Sequence, residues 1–313
     1  MRKKCKAIIA ACLLCVACGL RCQAKEKTVP LSLTPFHYTQ GFEEGRDPFV
    51  HWTTNPGKYA VNFLGITEEK AASGTKSFKL DVTFPEACYS YWRIPVKIPV
   101  EGKMAFRGRM LFLQGEQTKA GLGFNAAFPK SYLSGCGPFT SLDPSDAWQE
   151  ISGDVPAMTA IWINSFQKLV LGISPDYVGT YMDQIGLFVS VGTATRVVIY
   201  VDDIFIAGEV PEAKAYEDEI ARRWTLYRNG PLKKAVDELQ SRLSAATKEV
   251  GTMTGMNPKA RSGVTEKISQ ATATLAEIEK KGWISQDEYS AIERSFPEIE
   301  ELTLPGKMED LFR

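Results

Sequence analysis

Two aspartates, Asp202 and Asp203, stand side by side in "RVVIYVDDIFIAGEVPEA" (196–213), inside an otherwise apolar run. Neighbours on a strand point to opposite faces. Asp202 would share its face with Val198, Tyr200, Ile204 and Ile206, and Asp203 with Val197, Ile199, Val201 and Phe205. Both faces are apolar, so at least one carboxylate is expected to approach a core, where an unpaired charge is costly. Three arrangements would relieve it: a basic partner, a set of backbone N–H donors, or a hard cation. A strand that left the core at residue 202 would instead keep both carboxylates wet.

Other groups that do chemistry are sparse. His37 and His51 are the two histidines. HExxH, the Walker phosphate loop and the GxSxG elbow are absent, and beyond residue 24 so is CxxC. Carboxylate pairs as in glycosidases stay open, although the E-x-D-x-x-E strand signature of jelly-roll glucanases is missing. The acidic cluster "YEDEIARR" lies in a helical stretch and reads as a solvated face with Glu–Arg pairing.

The elements that must position these residues fall into two kinds. From about Phe36 to Ala207, β-branched and aromatic runs alternate with Gly, Pro, Asn and Asp. Candidate strands are "YAVNFLGI", "SFKLDVTF", "YSYWRIPVKI", "MAFRGRMLFL", "AGLGFNAAF", "WQEISGDV", "KLVLGIS", "QIGLFVSV" and "TRVVIYVDDIFIAGE". In 77–84, Phe78, Leu80, Val82 and Phe84 share one face. Many short strands without an intervening helical period predict an antiparallel sandwich. After Pro211 the pattern becomes helical. Leu232, Val236, Leu239, Leu243, Ala246 and Val250 form a narrow seam, repeated at Val264, Ile268, Ala271, Leu275 and Ile278. "GTMTGMNPKARSG" joins the two, predicting a helical hairpin. An earlier helix, about 212–227, ends at "RNGP"; a last one, about 285–296, starts on Ser285 and Glu288 at capping-box spacing. The expected division is a β domain to about 210, helices over 211–302, and a tail or linker over 303–313.

Residues 1–24, "MRKKCKAIIAACLLCVACGLRCQA", have the basic start, apolar run and small residues of a secretory signal. Residues 25–35 are a polar lead-in. The apolar run, Ala7 to Leu20, is 14 residues, short for a membrane span. Without this segment 37 acidic residues face 32 basic ones, a net charge of −5, which offers nucleic acid no electrostatic invitation. Five of seven cysteines lie in the leader; small residues before Cys18 also allow a lipoprotein reading, with Cys22 as a second candidate. The expected location is secreted or periplasmic, or lipid-anchored at the envelope. Cys88 and Cys136 remain, as a disulfide or as two buried thiols.

"GFEEG" (41–45) followed by Trp52, "AASGTKSFKLDV" (71–82), "DAWQEISGDVP" (146–156) and "VVIYVDDIFIAGE" (197–209) together resemble, in order, carbohydrate-binding modules of the galactose-binding-like jelly-roll superfamily. The resemblance spans about residues 36–210. It implies an all-β jelly-roll sandwich, here followed by the α-helical hairpin region. It also implies a structural Ca²⁺ joining the first and last strands, with Glu43 (or its neighbour Glu44), Asp202 and backbone carbonyls near Thr75 and Lys76 as ligands. Calcium takes about six to eight oxygens, which such residues supply without His or Cys.

Sugars are bound by flat aromatic faces and planar polar groups. "CYSYWRIP" puts Tyr89, Tyr91 and Arg93 on one strand face and Trp92 on the other. Tyr89, Tyr91, Arg93 and, in a loop, Tyr132 are the candidate platform; Trp148 matches a position that the resemblance makes structural. Three functions follow: non-catalytic binding of a polysaccharide or other glycan, envelope assembly through a self-associating or partner-binding helical region at 211–302, and carboxylate-based glycosidase or lyase action.

Overall fold

The computed structural model describes residues 30–51, 58–128, 133–136 and 140–311. The leader with Cys18 and Cys22, Trp52 and Tyr132 lie outside the described residues, as does the side chain of Cys136. From Leu33 onward the chain forms one unit. Its elements are β1 (Leu33–Gln40), β2 (Val50–His51), β3 (Ala60–Thr67), β4 (Ser77–Phe84), β5 (Cys88–Pro99), β6 (Lys103–Gln114), β7 (Thr118–Phe128), β8 (Leu133–Cys136), β9 (Thr140–Leu142), β10 (Gln149–Asp154), α1 (Val155–Leu169), β11 (Tyr181–Val191), β12 (Thr195–Pro211), α2 (Ala213–Tyr227), α3 (Lys233–Thr252), α4 (Pro258–Lys281) and α5 (Gln286–Leu311).

The strands make two antiparallel sheets. The first runs β10-β6-β12-β4-β3, with β1 also on β12; the second runs β2-β5-β11-β7-β8, with β9 also on β7. Alternation works as expected: Phe78, Leu80, Val82 and Phe84 of β4 all enter the core. So do Trp92 and Ile94 of β5, Leu122 and Phe124 of β7, and Ile185, Leu187 and Val189 of β11. Burying apolar surface at roughly 25 cal/mol per Å² is what holds the two sheets face to face. Trp148 packs on the outer side of the first sheet with Leu111, Val198 and Tyr200, a structural role.

One expected strand does not form, and a helix precedes its place. "KLVLGIS" (168–174) is not a strand: α1 occupies 155–169, and only Val170 makes an isolated bridge, to Ser285. The reason is a start signal at the end of β10. Asp154 Oδ1 accepts from the Ala157 N–H at 2.7 Å, an N-cap, and Pro156 fits the first helical turn. Conversely, β1 begins at Leu33, inside the expected lead-in, because its backbone completes the outer half of β12.

"RNGP" does not end the helix. Arg228–Leu232 form a π turn that carries α2 into α3, with the Lys233 N–H reaching the Arg228 carbonyl. Pro231 has no N–H and crowds the preceding turn, which a wider turn accommodates. The seam residues Val236, Leu239, Leu243, Val250, Val264, Ala271, Leu275 and Ile278 are buried. The capping box forms as expected: Ser285 Oγ accepts from the Glu288 N–H at 3.0 Å, and Glu288 accepts from the Ser285 N–H at 2.8 Å. Helix α5 continues to Leu311, past Pro297 and Pro305, because Ile299 and Thr303 are buried. No described helix is long and apolar enough to cross a membrane.

Helix α2 is docked on the sandwich by buried polar chemistry. The Tyr216 hydroxyl donates to the Thr180 carbonyl and accepts from the Thr180 N–H, both at 2.9 Å. Arg223 donates to Glu219, to Glu101 and to the Val178 carbonyl. Arg222, first, and Arg223 hold the Glu219 carboxyl down at about 2. A depressed carboxyl stabilises the fold above its ordinary value near 4.5 and loses that contribution as the pH falls toward 2. We therefore expect the acid-unfolding profile to steepen between pH 4.5 and 2, and Glu219→Gln to flatten it there. Circular dichroism during acid titration reads both; identical profiles would count against the network.

Candidate functional site

The aspartate pair sits where β12 changes partner. β12 pairs β4 over residues 195–201 and β1 over 204–211, while β6 runs along its other side. The register with β6 shifts between Asp202 and Phe205, a bulge. Val201 and Ile204 both enter the core, so the simple alternation expected across this stretch is reset and neither aspartate belongs to the core cluster. Asp203 takes a left-handed backbone, φ +49°.

Both carboxylates, with Glu43, clasp the loop before β4. Asp202 is fully buried. Its Oδ2 accepts from the N–H groups of Ala72 (2.8 Å) and Ser73 (3.2 Å), and its Oδ1 from its neighbour Asp203 (2.8 Å). Burial pushes its carboxyl above the usual range, and these three bonds offset that only in part. Asp203 accepts from the Ser73 hydroxyl at 2.5 Å and pairs with Arg109 at 3.3 Å. Glu43 reaches the loop from the end of β1. Its carboxylate accepts from the N–H of Thr75, the N–H of Lys76 and the Thr75 hydroxyl, all at 2.9 Å. Those bonds, the Lys76 N–H first, lower its pKa. Glu44 is exposed and takes no part in these bonds. Phe42 anchors the turn carrying Glu43 by burying its ring near Phe49 and Phe78, each at 6.2 Å. Gly74 has φ +62°, and a Cβ there would overlap the Glu43 carboxylate.

The structure thus brings Glu43, Thr75, Lys76 and Asp202 to one loop. Thr75 and Lys76 present N–H and O–H donors to it. A hard cation needs oxygen acceptors, and the N–H and O–H donors that Thr75 and Lys76 present do not fit calcium. Among the described residues no group of three or more His, Cys, Asp and Glu could hold a metal.

The second sheet carries a different arrangement on its outer face. Tyr89, Tyr91 and Arg93 of β5 point away from the core that Trp92 and Ile94 enter. The register sets them in rows. Tyr91 lies beside Phe188 and then Gly121; Arg93 lies beside Gly186 and then Gly123; Pro95 lies beside Gln184 and then Asn125. The rings of Tyr89 and Tyr91 meet edge-on at 5.9 Å, and Tyr91 and Phe188 lie 5.1 Å apart, tilted 37°. Gly121, Gly123 and Gly186, the three glycines in these rows, are buried.

At the far end the face turns polar. Arg93 donates to Gln184 Oε1 at 3.4 Å, and Asn125 Nδ2 donates to Asp183 Oδ1 at 2.9 Å. Asp183 sits at a bulge between Met182 and Gln184, which aims its carboxylate at Asn125 on this face. Burial raises the Asp183 carboxyl, while Asn125 and the charge of Arg93 pull it back. Asn125 Oδ1 is buried and accepts no hydrogen bond among the described residues. Phe188, Asp183, Gln184 and Asn125 escaped the sequence reading because only the register brings them beside β5. Among the described residues Cys88 forms no disulfide.

No protein-family model and no curated protein matches the chain. Solved structures similar to it include carbohydrate-binding modules of β-sandwich fold and a glycoside hydrolase domain. One, from a study of modules of the β-sandwich superfamily, has 18% identity and a TM-score of 0.38 over 52% of this chain and 59% of its own. A xylan-binding domain from Paenibacillus barcinonensis has 13% identity and a TM-score of 0.34, over 59% of this chain and all of that one. A module from Caldicellulosiruptor saccharolyticus, in complex with mannohexaose, has 10% identity and a TM-score of 0.33, over 54% of this chain and 96% of that one. Likeness at this level carries no argument about a ligand, and the fold stands on the two sheets described above.

Chelation is expected to leave the thermal midpoint within about 1 °C, since no bound ion would be lost; a fall on EDTA reversed by calcium would reject the donor-filled reading. Asp202→Asn puts an amide N–H₂ where amide donors converge. It should cost about 2 kcal/mol in urea denaturation; an unchanged midpoint would show that the buried carboxylate is dispensable.

Proposed function

We propose that the chain binds a glycan, without catalysis, on the outer face of the second sheet. One observation carries this reading: Tyr89, Tyr91 and Phe188 cluster beside Arg93 on the outer face of β5 and β11, with Asp183 near its end. Sugar rings present C–H patches that lie on aromatic faces, and their hydroxyls suit planar amide, carboxylate and guanidinium groups. The strands β4, β5, β6 and β7 alternate between the two sheets, which supports a jelly-roll sandwich as the scaffold. Among the described residues this face carries a single carboxylate, Asp183, whereas glycoside hydrolysis takes two.

The leader over residues 1–24 supports export, with the protein free or lipid-anchored, so that the glycan is met outside the cytoplasm. The assembly reading has less support: among described residues the exposed large apolar side chain on α2 to α5 is Leu304, and an interaction surface needs a contiguous patch.

Calorimetric titration against a panel of soluble neutral polysaccharides tests the proposal. One or more should bind, and Tyr91→Ala should weaken binding about ten-fold, near 1.4 kcal/mol, with the circular dichroism spectrum unchanged. Wild-type affinity in both Tyr91→Ala and Arg93→Ala would move the site elsewhere, and no binding across the panel would end this reading.

A further inference from the structure

The outer face of the first sheet holds a recess at the bulge in β12, and it is chemically unlike the aromatic face. Arg107 and Arg109 of β6 project on the side opposite Phe106, Gly108 and Met110; Phe106 and Met110 enter the core. Alternate residues on one strand face lie about 7 Å apart. Across the ladder Arg107 faces Phe205 and Arg109 faces Asp202. With Asp203, Thr39 and Gln40 they line a cavity of about 380 Å³, a volume within the range of small-ligand sites.

The two guanidinium groups are held but not saturated. Arg107 Cζ lies 5.3 Å from the centre of the Phe205 ring, and Arg107 has no ion pair among the described residues. Arg109 meets Asp203 at 3.3 Å and the Ala72 carbonyl at 3.4 Å, both long for a charge-assisted bond. Each guanidinium has five N–H donors, so several remain for a ligand. Opposing charge is limited: Asp203 lies in the recess, and Glu150 stands exposed opposite Arg109 on β10. Asp203 keeps a left-handed backbone that costs a non-glycine residue about 1 kcal/mol or more, and it lines the recess.

We propose that this recess is a second binding site, for the carboxylate of a uronic acid residue in an acidic saccharide. The planar fork of an arginine matches a carboxylate in two parallel hydrogen bonds. Arg107 and Arg109 present two such forks to one recess, and Phe205 offers an apolar edge to the sugar ring. Thr39 and Gln40, at the end of β1, supply a hydroxyl and an amide for the ring hydroxyls. The site is independent of Tyr91 and Phe188, which stand on the other sheet.

Titration calorimetry on the chain from residue 25 onward tests it with trigalacturonate and with the same trimer methyl-esterified, which keeps the rings and removes the charge. Trigalacturonate should bind at millimolar concentration or better, and esterification should weaken it at least ten-fold. Arg107→Gln, an exposed change with an unaltered melting temperature as control, should also weaken it about ten-fold, and Tyr91→Ala should leave it unchanged. Equal binding of acid and ester, wild-type affinity in Arg107→Gln, loss of acid binding in Tyr91→Ala, or no binding at millimolar concentration would each overturn the proposal. Because Tyr91→Ala separates the two faces, failure here leaves the neutral-glycan reading to its own test.

Discussion

The bulge at residues 202–203 is the constraint on which the rest of the sandwich depends. A 17-residue strand shares one long side between two partners, β4 and then β1, and there is a gap where one ends before the other begins. In that gap the ladder stops supplying partners, and N–H groups of the adjoining loop find side-chain acceptors instead. Asp202 supplies acceptors from β12, and Glu43 supplies them from the end of β1. Loop 72–76 is thereby tied to the first and last strands of the sandwich. The buried carboxylate that looks anomalous in an apolar run is a substitute for missing ladder carbonyls.

Each sheet carries one bulge that turns an aspartate toward an arginine on its outer face. In β11 the irregularity sets Asp183 beside Asn125 within the field of Arg93. In β12 it sets Asp203 against Arg109. The consequences differ because the neighbours differ. Beside Arg93 lie two tyrosines and a phenylalanine, packed edge-on and tilted against one another. Beside Arg109 lie a second arginine and a recess. The same local device therefore yields two surfaces of different composition, while the core between them is continuous.

The helices are joined to this frame by polar anchors as well as by apolar packing. Tyr216 and Trp224 of α2 are fully buried, yet the Tyr216 hydroxyl forms both of its bonds with Thr180. Such a pair sets orientation, since a buried hydroxyl without partners would be costly. The π turn at Arg228–Leu232 then lets α3 continue without a break, so the direction of the remaining helices follows from how α2 is seated.

Strand periods, the β-to-helix change near residue 211, the helical seams and the capping box at Ser285 were legible in the residues, because each rests on spacing along one segment. Tyr89, Tyr91 and Arg93 were assigned to one face for the same reason. The left-handed Asp203, the N–H groups aimed at Asp202 and Glu43, and the rows that join Phe188, Gln184 and Asn125 to β5 were not. They depend on register between segments far apart in the chain, and one bulge reverses which face a side chain takes. Helix α1 hid behind a run that suits strand or helix, and its aspartate cap decided the matter locally. By itself the sequence determined most of the strands, the helices after residue 211 and which residues of β5 share a face. Tertiary structure alone decided what the acidic pair binds, because the loop N–H groups that Asp202 satisfies lie 129 and 130 residues away and are set by fold closure, not by local pattern.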